Sequence, residues 1–148
     1  MKIAIGNDHA AVEMKYAMIK YLENHGHEVI NYGTDKSERC DYPEFALKVA
    51  KDVAANTVDF GVLICGTGIG MSIAANKVNG IRAAVCSEPV SARFAKEHNN
   101  ANIICFGARI VGEQMAIDIL DSYMNAEFLE GRHQNRIDII SKSERSAL

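Results

Sequence analysis

A cysteine and three alternate glycines stand together where chemistry is most easily imagined: Cys65, Gly66, Gly68 and Gly70 in the stretch DFGVLICGTGIGMS, residues 59 to 72. The apolar run Phe60 to Ile64 ends abruptly at Cys65, and a short apolar run bounded by glycine reads as a strand buried on both faces. The glycine turn then falls at the strand's C-terminal end, where open parallel sheets place their ligands. Three glycines let the backbone turn tightly with N–H groups free to face an anion, and a helix starting at Ile69 adds its dipole. Cys65, at the rim of this positive cradle, is a candidate base or nucleophile.

Other groups qualify by position. Asp8 and His9 follow the first strand, so a parallel sheet puts them on the same edge as Cys65, although Asp8 or Asn7 could equally cap the first helix. His98 closes a helix, whose negative end suits a proton donor, and a donor is what opening a sugar ring requires. Arg132 and Arg136 are spaced i, i+4, so a helical turn directs both from one face; two guanidinium groups side by side fit a phosphate, although a lone pair of this kind more commonly marks a solvated face. Arg109, after the fifth strand, sits on the ligand edge and could join them. Nothing local activates Cys40, Cys86 or Cys105, and His25 and His27 read as surface residues.

The glycine turn fails three better-known patterns. Its third glycine comes one residue early for a dinucleotide fingerprint, and it lacks the Gly-Lys-Ser/Thr ending of a P-loop. A phosphatase loop of the low-molecular-weight type needs arginine six residues after the cysteine, where this chain has Met71.

The elements that must position these groups alternate regularly. Expected strands are Lys2 to Gly6, Glu28 to Tyr32, the run from Phe60, Ile81 to Cys86 and Asn102 to Phe106; expected helices are Ala10 to Asn24, Pro43 to Asn56, Ile69 to Asn76, Glu88 to His98 with Ser87 as its cap, and Gly112 to Met124. That alternation predicts right-handed crossovers, a five-stranded parallel sheet and a three-layer α/β/α sandwich of Rossmann-like type. Ala126 to Leu148 has no strand left to cover, and its patch Ile137, Ile139 and Ile140 is read as docking on a partner subunit or as a surface helix.

At 148 residues the chain fits one domain, residues 1 to 148, and its net charge of −3 gives no general attraction to nucleic acid or anionic membranes. The 4 cysteines show no CxxC pair and no metal-ligand spacing. With a start, MKIAIGNDHA, unlike a signal peptide, they predict a cytoplasmic protein.

Taken together, NDHA at 7 to 10, DYPEFA at 41 to 46, CGTGIGMSIAANK at 65 to 77, EHNNANIICFGAR at 97 to 109 and GRHQNR at 131 to 136 resemble the type B ribose-5-phosphate isomerases and the related allose- and galactose-6-phosphate isomerases. Ala11 and Asn7 depart from the usual glycine and serine of that family without removing a reacting group. The resemblance implies interconversion of aldose and ketose phosphates through a cis-enediolate, a step of pentose phosphate metabolism needing neither metal nor organic cofactor. It also implies roles: Cys65 moves the proton between C1 and C2, and His98 with Thr67 opens the ring. Asp8, His9 and Tyr42 contact the sugar, while Asn99 and the amides of Gly66, Gly68 and Gly70 hold the developing oxyanion. Arg109, Arg132 and Arg136 clamp the phosphate. It further implies a homodimer, or a dimer of dimers, whose neighbouring subunit supplies His98 and the C-terminal arginines. A hexose-6-phosphate isomerase and a non-catalytic sugar-phosphate-binding module remain alternatives.

Overall fold

The computed structural model describes residues 1–146; Ala147 and Leu148, the end of the expected docking tail, lie outside the described residues. Five strands, β1 (Lys2–Asn7), β2 (Glu28–Asn31), β3 (Phe60–Cys65), β4 (Ala83–Val85) and β5 (Ile103–Gly107), alternate with α1 (Val12–Asn24), α2 (Tyr42–Ala54), α3 (Ile69–Ala75), α4 (Pro89–Asn99) and α5 (Glu113–Met124), and α6 (Arg132–Ser146) follows. A 3-10 turn, His9–Ala11, precedes α1. All strand pairs are parallel, in the order β2-β1-β3-β5-β4.

Strand alternation sorts the core onto two faces. Val62 and Ile64 of β3 and Ile104 and Phe106 of β5 pack with Met18 and Leu22 of α1, Ala92 and Ala95 of α4 and Ile119 and Leu120 of α5. On the other face, Leu63, Cys65, Ile103 and Cys105 pack with Val49, Ala50 and Val53 of α2 and Met71 and Ala75 of α3. The expected three layers are therefore present. Every residue of β3 is buried, as its uninterrupted apolar run requires.

Differences from expectation lie at element ends, where side chains compete with the backbone ladder. β4 begins at Ala83 and not at Ile81, because the N–H groups before it are spent outside the ladder, that of Ile81 on Val78 O at 3.1 Å. Asn102 Oδ1 accepts from Arg82 N at 2.8 Å, while the Asn76 amide accepts from Ala83 N and donates to Ala83 O at 2.8 and 2.9 Å. The cap of α4 is Glu88 and not Ser87: its carboxylate accepts from Val90 N and Ser91 N at 2.6 and 2.7 Å, and Pro89 then occupies the first helical turn. Of the C-terminal apolar patch, Ile137 is buried while Ile139 and Ile140 stay exposed on α6, which rests on α4. No helix among the described residues is long and apolar enough to cross a membrane.

Candidate active site

The strand order reverses between β1 and β3, and a crevice at such a switch point is where an open sheet receives its ligand. Asp8 and His9 leave β1 there and Cys65 ends β3, with Asp8 N donating to Ile64 O at 3.1 Å. The Asp8 side chain accepts from Ala10 N at 2.9 Å, so it does cap the turn that follows, and its second oxygen lies 3.9 Å from His9 Nδ1.

Cys65 is 5% exposed, and Gly68 N donates to its Sγ at 3.1 Å. An amide aimed at sulfur is the device expected of a site that holds an anion there. The turn can form because Gly68 adopts φ +81°; a Cβ at that position would also sit 2.9 Å from the Phe106 backbone of β5. Thr67 is exposed, its Oγ1 accepting from Ile69 N at 3.3 Å. Tyr42, the first residue of α2, lays its ring over Gly70 so closely that a Cβ there would meet ring atoms at 2.6 to 2.8 Å. Arg109 N donates to Gly66 O at 3.1 Å and its side chain runs across that glycine, the charge lying beside the Cys65 turn.

Cys40, for which the sequence offers no local activation, lies beside this group. Its Sγ lies 3.9 Å from His9 Nδ1. The loop carrying it is fixed from below: fully buried Lys15 donates to Thr34 O at 3.0 Å and pairs with Asp35, and Asn7 Nδ2 also reaches Thr34 O. Asp35 is held below the ordinary carboxylate range chiefly by hydrogen bonds from Lys15 and Tyr16.

The second group is elsewhere. The β3–β5 register pairs Gly61 with Ile103 and Cys65 with Gly107, so His98 and Asn99, which precede β5, stand about 13 Å of strand below Cys65. The His98 ring is sandwiched between Phe94, at 4.5 Å and 16°, and His133, at 4.4 Å and 6°. His133 and Ile137 are the inward residues of α6, while Arg132 and Arg136 remain exposed. The expected i, i+4 helical pair is therefore real, but Arg109 lies on the opposite edge of the same chain and cannot close on these two without a second copy. His133 was missed from sequence; its spacing of four from Ile137 was the available signal.

Burial, then the neighbouring His98, Arg132 and Arg136, lower the pKa of His133. The unfolded chain consequently binds the proton more readily, so stability from this group is present above the ordinary histidine pKa and is lost as pH falls through it toward the folded value. Melting temperature should drop more steeply between about pH 7.5 and 5.5 in the parent protein than in His133→Gln. Equal slopes in the two would contradict the assignment.

A profile of the family described as Ribose/Galactose Isomerase matches residues 3–140. The ribose-5-phosphate isomerase B of Escherichia coli is 50% identical over 97% of this chain and 96% of its own. A protein of Pectobacterium atrosepticum named D-erythrulose-4-phosphate isomerase is 41% identical over 97% of this chain and 95% of its own. The solved structure of Clostridium thermocellum ribose-5-phosphate isomerase B superposes with a TM-score of 0.98 at 49% identity, covering 100% of both chains.

Proposed function

The chain belongs to the ribose/galactose isomerase family, and from that premise we propose that it interconverts D-ribose 5-phosphate and D-ribulose 5-phosphate through a cis-enediolate. The observation carrying this reading is the Gly68 amide directed at Cys65 Sγ at the switch point of the sheet. A thiolate there can take the proton from C2 of the open-chain aldose and return it to C1. The C2–H pair becomes the C1–C2 double bond as the carbonyl pair moves onto O1, a charge that the amides of the 66 to 70 turn and Arg109 would receive; a proton then passes from O2 to O1, and the O2 pair forms the new carbonyl as C1 is protonated. Asp8, His9 and Tyr42 border the same crevice and would orient the sugar hydroxyls.

The remaining roles need two copies of the chain. His98, Asn99, Arg132 and Arg136 face away from their own Cys65, so we infer a homodimer in which each crevice receives this second group from its neighbour. His98, with Thr67, then opens the furanose by moving a proton between ring oxygen and hydroxyl, and the two arginines hold the phosphate. The span between reacting carbon and arginines would select sugar length, a property in which relatives differ, since one is named for a four-carbon substrate.

Incubation with ribose 5-phosphate in heavy water tests the activity. Deuterium at C2 of recovered substrate, with ribulose 5-phosphate formed, supports enolisation, and binding without exchange refutes it. Comparison of kcat/KM with allose 6-phosphate fixes the preferred sugar. Arg136→Ala should raise KM by about tenfold or more with kcat less affected, because the phosphate is distant from the reacting carbons. An unchanged KM would remove it from the clamp.

A further inference from the structure

The last turn of α4 carries His98 and Asn99 and then ends on Asn100, a residue in left-handed backbone at φ 42° and ψ 44°. Asn100 N donates to Lys96 O and Ala101 N to Ala95 O, closing the helix, while the carbonyls of Asn99 and Asn100 point onward with no helical partner. Both are taken by one side chain from another element. Arg82 Nε donates to Asn99 O and Asn100 O at 3.1 and 3.0 Å, Nη2 donates to Asn100 O at 2.9 Å, and Nη1 reaches Gly80 O at 3.4 Å.

Arg82 is itself fixed. Its backbone N donates to Asn102 Oδ1 at 2.8 Å, and Asn102 Nδ2 donates to Gly80 O at 2.9 Å. Every hydrogen bond from this guanidinium among the described residues ends on a backbone carbonyl, although arginine more commonly seeks a carboxylate or phosphate. A half-buried cation set against a helix C-terminus also offsets the negative end of the dipole. The fork joins the entrance of β4 to the exit of α4, and the two residues it holds by their carbonyls, Asn99 and Asn100, directly follow His98.

We infer that Arg82 is a positioning residue for the isomerisation, acting through the Asn99 and Asn100 carbonyls to hold His98 and Asn99 in the geometry that the neighbouring subunit's crevice requires. The inference rests on the roles proposed above for His98 and Asn99. Arg82 touches no substrate in this scheme. Its loss should therefore act on turnover and leave the grip on phosphate to Arg132 and Arg136.

The test compares Arg82→Ala, Arg82→Lys and His98→Asn, each assayed with ribose 5-phosphate after its oligomeric state and melting temperature have been measured. Arg82→Ala should lose about 10- to 100-fold in kcat, the scale of a small misplacement of a reacting group, with KM within about threefold of the parent. Arg82→Lys, keeping the charge on a single donor nitrogen that cannot span both carbonyls as the fork does, should fall between Arg82→Ala and the parent. Guanidinium ion added at millimolar concentration should restore several-fold activity to Arg82→Ala and none to His98→Asn. A folded Arg82→Ala enzyme with parental kcat, or a kcat deficit that guanidinium leaves untouched, overturns the assignment. Where alanine prevents folding, Arg82→Lys decides: reduced kcat at unchanged KM supports the role and parental kcat refutes it. His98→Asn with full kcat would refute the underlying reading, and Arg82 with it, whereas an impaired His98→Asn beside an unimpaired Arg82→Ala refutes Arg82 alone.

Discussion

Cys65→Ala should lower kcat by about 10²- to 10⁴-fold while leaving KM for ribose 5-phosphate nearly unchanged, the pattern expected when a general base is lost and the binding groups remain. The side chain is small and sits at the end of β3, 5% exposed, with one amide contact from Gly68. Its removal takes a sulfur from the crevice and leaves Arg109, Asp8, His9 and Tyr42 where they are. Deuterium exchange at C2 should fall in parallel with turnover, because both depend on the same proton transfer. Ring opening, assigned to His98 and Thr67, should persist. A Cys65→Ala protein with near-normal turnover would assign proton transfer to another group.

Mixing two inactive variants should restore activity. Cys65→Ala and His98→Asn, refolded together in equal amounts, should give about half mixed dimers, each with one intact crevice of two, hence about a quarter of parental activity. The expectation follows from the sheet: Cys65 closes β3 at one edge, and His98 precedes β5 at the other. If the two groups instead served one crevice within a chain, every chain in the mixture would carry a defect and activity would stay at the level of the separate variants. The experiment therefore reads the sharing of sites directly, without depending on a measured subunit number.

Sequence reasoning located the elements well where a single physical signal dominated. The unbroken apolar run before Cys65 could only be a central strand, and β1, α2 and α5 followed from similarly clear patterns. Strand order was not legible, because β1, β3 and β5 become neighbours through long crossovers that leave no local mark. The candidate ligand edge was readable in part, and for a different reason. Residues that end parallel strands share an edge in any order, which grouped Asp8, His9, Cys65 and Arg109. Tyr42 and Asn99 came only from resemblance. His133 was hidden behind the arginines on either side of it, and Cys40 by a polar loop whose path depends on buried Lys15. Ser87 looked like a cap by residue type, but the longer Glu88 carboxylate satisfies two amides at once.

Of the two edge strands, β4 is only three residues long, and the Asn76 amide already occupies both the N–H and the carbonyl of Ala83. An invading polypeptide arriving alongside would find that rung taken and little more than Val85 left to pair with. Runaway growth of the sheet from molecule to molecule is thereby discouraged at that border. A lone carboxamide does the protective work elsewhere left to charges or prolines, so Asn76→Ala should raise the tendency to aggregate on heating before it alters turnover.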